Sequence, residues 1–345
     1  MLNAERARPG AGHGFERAAV VGAGLMGRGI AGVLAAGGLD VVLYDVHAHV
    51  LADALESIRI SPAATAGTRT GGRATDGGAG DGAGAGGHGQ VTGSADLAAA
   101  VSGADLIVEA VIEDLAVKRE VFAQVSAAAP AAVLATNTSV LPVSAIAETA
   151  HRPERVIGTH WWNPPDLIPV VEVIPGPLTS AGTADRVMTL LAGLGKTPVL
   201  LRRDGPGFIG NRLQHALWRE AIALVADGIS DAETVDLVAR NTIGLRLARM
   251  GPLENADYVG LDLTIAIHDT VLPALSRDRE PSPLLGELVR RGDLGAKTGR
   301  GFLDWGDGER QAAARELAAH VAGQVPSGST RCRDPLGSRQ PSSHQ

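Results

Sequence analysis

A histidine, a glutamate and a serine lie within a short stretch in the middle of the chain. Ser139 ends the run T-N-T-S, His160 opens the run H-W-W-N-P-P, and Glu172 follows twelve residues after His160. An imidazole with an unperturbed pKa of about 6.5 can accept a proton near neutral pH, and a carboxylate can orient it. A serine hydroxyl can hold a substrate oxygen. These residue types predict general-base chemistry on a substrate with a reacting oxygen.

The elements predicted around these residues place them at strand ends. Apolar runs at residues 133–136, 155–160 and 170–174 predict three short strands, and the first of them ends at the T-N-T-S run. Asn163-Pro164-Pro165 between the last two is typical of a turn. We interpret Trp161 and Trp162, next to that turn, as packing residues at a boundary between domains.

A glycine-rich turn near the N-terminus predicts a dinucleotide site. Residues 17–21 form an apolar run, G-A-G-L-M-G follows from Gly22 to Gly27 through Gly24, and a helical stretch comes next. Such a turn brings backbone N–H groups close to a pyrophosphate at a helix N-terminus. Asp45 ends the following strand, 18 residues after Gly27, where a carboxylate binds ribose hydroxyls and repels a 2′-phosphate. The pattern favours NAD over NADP, with Leu25 and Met26 in the same turn.

Composition excludes several other classes of protein. The net charge is -7 and no basic block occurs, which argues against nucleic acid as a partner. No apolar run approaches the length of a membrane span. Cys332 is the single cysteine, so a disulfide framework is excluded and a cytoplasmic location is expected. The spacing of the histidines predicts no metal site.

The order of the predicted elements favours an α/β fold with two domains. Strands and helices alternate over residues 16–203, which predicts a Rossmann-type, doubly wound and mostly parallel sheet. Residues 204–305 show helical patterns alone, so a second, all-helical domain is expected there. Residues 1–15 are expected to be a disordered leader, and 306–345 a helix with a disordered tail.

One segment interrupts the α/β pattern. Residues 62–93 are rich in glycine, alanine and threonine and almost lack large apolar side chains. Such a composition cannot offset the entropy of ordering the backbone, so a flexible insertion is expected. A phosphate-binding role for the run is the alternative, although no strand–turn–helix frame surrounds it.

The motifs together resemble those of the 3-hydroxyacyl-CoA dehydrogenase family over residues 16–305. The matching pieces are G-A-G-L-M-G with Asp45, V-E-A-V-I-E-D-L-A-V-K, T-N-T-S, H-W-W-N-P, V-E-V-I, P-G-F-I-G-N-R-L and K-T-G-R-G-F. The resemblance implies an NAD-dependent oxidation of the 3-hydroxyl of an L-3-hydroxyacyl-CoA, such as 3-hydroxybutyryl-CoA, in fatty acid metabolism. It also implies a homodimer formed through the helical domain.

The resemblance assigns roles to the residues that match the motifs. It implies that His160 is the catalytic base, that Glu172 fixes and stabilises its imidazole, and that Ser139 and Asn211 hold the reacting oxygen. The remaining implied residues line the cofactor site: Glu113, Lys118 and Lys297.

Two departures from the family pattern leave the substrate open. Where members that bind CoA have a helical arm with basic groups, this chain has the Gly-rich run. The turn that begins at Asn163 reads N-P-P-D-L-I-P, which resembles relatives acting on small non-CoA alcohols, such as gulonate dehydrogenase (also a lens crystallin) and a dehydrogenase of vitamin B6 breakdown. A free hydroxy acid or heteroaromatic alcohol is therefore the alternative substrate. A non-catalytic nucleotide-binding protein is a third alternative, which the joint presence of the four catalytic candidates disfavours.

Overall fold

The computed structural model describes residues 13–60 and 89–324, and its centre is an eight-stranded sheet. The strands are β1 (Arg17–Val21), β2 (Asp40–Tyr44), β3 (Val91–Ser94), β4 (Leu106–Glu109), β5 (Val133–Thr136), β6 (Val156–Trp161), β7 (Val170–Pro175) and β8 (Thr197–Leu200). Their order is β3-β2-β1-β4-β5-β6-β7-β8. Every neighbouring pair is parallel except β6 and β7, which are antiparallel. The predicted Rossmann-type, mostly parallel sheet is confirmed.

Helices cover both faces of this sheet. They are α1 (Leu25–Ala36), α2 (Ala48–Ile60), α3 (Leu97–Val101), α4 (Leu115–Ala128), α5 (Val143–Ala147) and α6 (Ala181–Gly193). Alternate residues of β1 point to opposite faces, so Val20 packs in one apolar cluster with Ile30, and Val21 packs in the other with Phe122. Burial on both faces explains why the strands read as continuous apolar runs.

A side-chain cap fixes the start of α4, the helix that carries Lys118. The Asp114 side chain accepts a hydrogen bond from the Val117 N–H group at 3.0 Å, which satisfies a donor that the first helical turn leaves unpaired. Since Lys118 follows within the same turn, its side chain reaches back towards the end of β4.

The C-terminal part of the described chain is helical, as predicted. Its helices are α7 (Gly210–Ala226), α8 (Ala232–Ala239), a π-helical turn (Arg240–Gly244), α9 (Leu245–Leu247), α10 (Pro252–Val259), α11 (Leu261–Val271), α12 (Pro283–Arg291) and α13 (Glu309–Gln324). Asn211 and Leu288 are the only buried residues in the described parts of α7 to α13. Leu263 and Ile265 of α11 are exposed, although α11 is rich in apolar residues.

The prediction of a disordered leader over residues 1–15 is wrong at its C-terminal end. Phe15 is buried in the core, and the Arg186 guanidinium lies 4.2 Å from the centre of its ring. Packing on α6, which is distant in sequence, therefore orders residues just before β1. Residues 1–12 lie outside the described part of the chain.

The predicted flexible insertion at residues 62–93 is likewise wrong at its C-terminal end. Val91 begins β3, and the Gly89 N–H group donates to the Ala35 carbonyl at 2.9 Å. β3 is a short edge strand, and its sequence V-T-G-S has no apolar pattern. Pairing with β2 orders this strand, and that pairing leaves no signal in the sequence. Residues 61–88 and 325–345 lie outside the described part of the chain.

Within residues 13–60 and 89–324, none of the helices combines the length and the apolar composition needed to cross a membrane.

Candidate active site

The centre of the site is a hydrogen-bonded pair of buried side chains on two antiparallel strands. The register of β6 and β7 places His160 directly opposite Glu172. Side chains in such a position lie within reach of each other, and here His160 Nδ1 is 2.7 Å from Glu172 Oε2. Both residues are 3% exposed. The twelve-residue spacing seen in the sequence therefore brings the imidazole and the carboxylate into contact.

The start of α7 holds the other oxygen of this carboxylate. Glu172 Oε1 accepts hydrogen bonds from the N–H groups of Ile209 at 2.8 Å and Gly210 at 3.1 Å. Burial by itself raises the pKa of the Glu172 carboxyl, but the hydrogen bonds from His160 and from these two N–H groups outweigh burial, so that the pKa lies below its usual value. Glu172 is therefore ionised near neutral pH, and the positive end of the helix dipole favours its charge.

Aromatic rings pack around the imidazole. The Trp162 ring centre lies 4.9 Å and the Phe208 ring centre 5.6 Å from that of His160. Phe208 has a φ of 50°, a backbone conformation that residues other than glycine rarely adopt. The turn at Phe208 directs the N–H groups that follow it at Glu172. Gly210 is required for close packing, because a Cβ there would lie 2.2 Å from Trp162. Trp162 is therefore a wall of the site, while Trp161 packs in the core.

The loop after β5 brings two further predicted residues to the same place. The Asn211 side chain donates to the Ser139 carbonyl at 2.9 Å, so α7 and this loop are joined next to His160. Asn137 Oδ1 accepts from the Trp161 N–H group at 2.9 Å, which ties the loop to β6. Ser139 is half-buried. The four predicted catalytic residues thus come from the loop after β5, from β6, from β7 and from α7, and the hydrogen bonds of Glu172 and Asn211 connect these elements.

The predicted cofactor residues Glu113, Lys118 and Lys297 have different surroundings. Glu113 Oε1 accepts hydrogen bonds from the N–H groups of Ser139 at 2.8 Å and Val140 at 3.0 Å. Lys118 is fully buried and forms ion pairs with two carboxylates, so it is a support beneath the surface of the site. Lys297 lies exposed in the loop before Arg300 and forms no ion pair with any described residue.

The glycine turn after β1 fits a dinucleotide. A Cβ on Gly22 would lie 2.6 Å from the Ala110 carbonyl oxygen, and one on Gly27 would lie 1.8 Å from the Gly22 carbonyl oxygen, so both positions need glycine. A Cβ on Gly24 would meet no atom within 4 Å, which leaves open space in front of the N-terminus of α1. Asp45 Oδ2 accepts from the Ala23 N–H group at 2.8 Å. The turn and the carboxylate therefore stand together where pyrophosphate and ribose would bind.

Two residues that shape the site received no role from the sequence. Glu109 is buried at the end of β4, and a carboxylate inside an apolar run was the signal that could have found it. Lys196 donates to the carbonyls of Pro165, Asp166 and Ile168 and so holds the turn between β6 and β7, although nothing in the sequence around it indicates this role. In residues 13–60 and 89–324 no group of three or more histidine, cysteine, aspartate or glutamate side chains could hold a metal ion.

The chain matches one protein family along most of its length. Residues 17–205 match the NAD binding domain of 3-hydroxyacyl-CoA dehydrogenase, and residues 207–305 match the C-terminal domain of the same enzyme. This protein is an NAD-dependent dehydrogenase, since the glycine turn and the His–Glu pair lie within the matched residues. More particularly, the chain belongs to the 3-hydroxyacyl-CoA dehydrogenase family.

Similar proteins act on different substrates according to their names. The chain is 37% identical to a probable 3-hydroxybutyryl-CoA dehydrogenase of Deinococcus radiodurans, over 83% of this chain and 99% of that protein. It is 34% identical to 5-formyl-3-hydroxy-2-methylpyridine 4-carboxylate 5-dehydrogenase of Mesorhizobium japonicum, over 87% and 94%. A crystal structure of a dehydrogenase of that pyridine acid, described as an NAD+ dependent dismutase, has 31% identity and a TM-score of 0.81, over 90% and 97%. The family therefore leaves the substrate unresolved.

The low pKa of Glu172 leads to a stability prediction. A carboxyl with a folded-state pKa below the usual 4.5 contributes stability that is fully present above about pH 4.5 and is lost as the pH falls further, through the folded-state pKa. We expect Glu172→Gln to lower the free energy of unfolding by about 2 kcal/mol at neutral pH. The difference from the wild type should shrink in acid. Urea unfolding over a pH series measures it.

The matched control is Glu56→Gln, a substitution at an exposed position of α2. It should leave the free energy of unfolding unchanged across the same pH series. A deficit in Glu172→Gln that stays constant down to strongly acidic pH would contradict the linkage of this carboxylate to folding.

Proposed function

We propose that this protein oxidises a secondary alcohol with NAD through general-base catalysis by His160. In the proposed reaction the imidazole takes the hydroxyl proton, the carbon gives up its hydrogen as hydride, and a ketone forms. NAD supplies the hydride acceptor. The hydrogen bond of 2.7 Å between His160 and the ionised Glu172 is the observation that carries the proposal.

The tautomer of the histidine follows from this pair. An ionised carboxylate can only accept, so the proton between the two groups lies on His160 Nδ1. Nε2 then has the lone pair that a general base needs. When Nε2 takes up the substrate proton, the imidazolium that forms lies beside the negative charge of Glu172, which stabilises it. The pair therefore supports proton removal without a strongly basic group.

The other predicted residues receive their roles in the same proposal. Ser139 and Asn211 would hold the reacting oxygen, since the loop after β5 and the start of α7 bring them to the end of the sheet at which His160 lies. The proposed cofactor residues are Gly22, Gly24, Leu25, Met26, Gly27, Asp45, Glu113, Lys118 and Lys297. For Lys118 the role is indirect, because its side chain is buried.

The first candidate substrate is an L-3-hydroxyacyl-CoA such as 3-hydroxybutyryl-CoA. A cavity of about 420 Å³ lies between α1, α2 and the turn at Asn163–Asp166, and Arg28 and Arg59 are among its lining residues. Two guanidinium groups beside an apolar cavity, against the single carboxylate of Asp166 in its lining, suit a substrate tail that carries phosphates. The cavity adjoins the turn between the strands of His160 and Glu172, so a thioester bound there could extend towards the imidazole.

The second candidate is a free hydroxy acid or a heteroaromatic alcohol. The likeness to the pyridine-acid dehydrogenase, with a TM-score of 0.81 over 90% of this chain, favours it. The N-P-P-D-L-I-P turn favours it as well. The two candidates share the same base and cofactor and differ only in the group attached to the alcohol.

A comparison of substrates separates the candidates. NADH formation should be followed with 3-hydroxybutyryl-CoA, with free 3-hydroxybutyrate and with pyridine alcohols, all at the same protein concentration. Turnover of the thioester at a kcat/KM at least about tenfold above that of the free compounds is expected for the first candidate. Turnover of the free compounds alone would replace it by the second.

Removal of the base tests the mechanism on whichever substrate is turned over. His160→Ala should lower kcat by at least about 10²-fold, because the alcohol proton then has no acceptor. The Kd for NAD should stay nearly unchanged. His151→Ala, at an exposed histidine, is the control and should keep the wild-type kcat. An unaltered kcat in His160→Ala would remove His160 from the mechanism.

We also propose that the helical domain forms a homodimer. Exposed large apolar side chains occur on α7, α8, α10 and α11, among them Leu217, Leu237, Tyr258 and Ile265. A helix with apolar residues around most of its surface is stable in water only when another surface covers it. A second copy of this chain provides a matching apolar surface of the same extent.

Sedimentation of the full-length chain tests the dimer. Two copies of a 35.3 kDa chain are expected in one particle. Ile265→Asp should shift the particle to the monomer mass or cause aggregation, because a charge then lies in the proposed interface. Leu178→Asp, at an apolar residue just as exposed but before α6, should leave the dimer intact. A wild-type chain that sediments as a monomer would contradict the proposal.

A further inference from the structure

Three charged side chains form a cluster at the ends of β4 and β5. Lys118 Nζ lies 2.7 Å from Glu109 Oε1 and 3.3 Å from Glu113 Oε2. The side chains of Lys118 and Glu109 are 1% exposed, and that of Glu113 is 34% exposed. The cluster therefore lies inside the protein except on one side, where Glu113 reaches the surface of the site.

Hydrogen-bond donors surround each carboxylate of the cluster. Glu109 accepts from the Val111 N–H group at 2.8 Å, from Thr136 Oγ1 at 2.7 Å and from the Lys118 ammonium. Three donors around one buried carboxylate compensate its loss of hydration.

Glu113 has a similar set of donors. Burial by itself raises the pKa of its carboxyl, but the hydrogen bond from Thr138 Oγ1 at 2.6 Å, the charge of Lys118 and the N–H groups of Val140 and Ser139 outweigh burial and lower the pKa. With two carboxylates and one ammonium, the cluster carries a net charge of −1.

The cluster lies near the place where the nicotinamide end of the dinucleotide would bind. The glycine turn after β1 and Asp45 after β2 suit the pyrophosphate and the adenosine ribose, so the other half of a bound NAD would extend across the ends of β4, β5 and β6. Glu113 follows β4 and binds the N–H group of Ser139 after β5, and His160 lies on β6. A nicotinamide that accepts hydride from a substrate held at His160 would therefore lie near Glu113.

We propose that Glu113, supported by Glu109 and Lys118, makes the site select NAD in its oxidised form. The nicotinamide ring is cationic when oxidised and neutral when reduced, so a net negative cluster stabilises the first form more than the second. Such a bias favours uptake of NAD+ and release of NADH, which suits an enzyme that oxidises its substrate. This inference rests on the proposed function, because the latter sets where the nicotinamide lies.

Charge variants of the cluster test the bias through binding equilibria. The measurement is the Kd of the full-length chain for NADH and for NAD+, by fluorescence and by calorimetry, and the deciding quantity is the ratio of the two. Glu113→Gln makes the cluster neutral while an amide oxygen still accepts hydrogen bonds. The preference for NAD+ over NADH should fall by about tenfold, equal to about 30 mV in the midpoint potential of the bound couple.

The opposite change and a matched control complete the series. Lys118→Met makes the net charge −2, so the preference for NAD+ should rise. The double variant Glu109→Gln/Lys118→Met keeps the net charge at −1 and should leave the ratio within about twofold of the wild type. If the buried carboxylate prevents Lys118→Met from folding, then Glu113→Gln and the double variant still decide.

The outcomes distinguish this inference from the proposed function. Equal changes in both Kd values, with an unchanged ratio in Glu113→Gln, would leave the cluster a purely structural role and overturn the inference. A shift of the ratio in the same direction for Glu113→Gln and Lys118→Met would do the same. A wild-type chain that binds neither form of the cofactor would instead contradict the proposed function.

Discussion

The antiparallel register between β6 and β7 is the constraint on which the site depends. In a sheet that is otherwise parallel, the chain turns back after His160 and returns with Glu172 directly opposite. The two side chains meet because backbone hydrogen bonds between the strands fix the pairing. A slip by one residue would turn one of them to the other face of the sheet. Lys196, through its bonds to three carbonyls of the intervening turn, helps to hold that register.

Burial of the His160–Glu172 pair costs free energy of hydration, although the pair serves the proposed chemistry. A carboxylate as little exposed as Glu172 loses most of its hydration, and the two N–H groups at the start of α7 replace part of it. The same helix carries Asn211, which binds the Ser139 carbonyl. The N-terminus of α7 thus connects the carboxylate to the loop after β5, and a displacement of α7 would disturb both at once.

The sequence predicted what local patterns determine. The strand–turn–helix frame of the glycine motif, the acidic end of β2 and the strand positions of His160 and Glu172 all follow from periodicity and spacing within a few tens of residues. Contacts between distant segments left no such pattern: Phe15 with Arg186, Glu113 with the loop after β5, and β3 with β2. Lys118 was expected to line the cofactor site because a motif shows only where a residue lies in the sequence. Its burial depends on how the segments pack, which the motif does not show.

In the proposed dimer, the helical domain connects the candidate active site with the interface between the two copies. At its N-terminus α7 donates to Glu172, while farther along it exposes Leu217 and Trp218. Most stability of a helix comes from packing of its apolar face, so an apolar face left in water would weaken the whole of α7, including its N-terminal donors. If a second copy covers these side chains, it also stabilises the orientation of the two N–H groups. The carboxylate that orients His160 would then depend on contacts outside its own subunit.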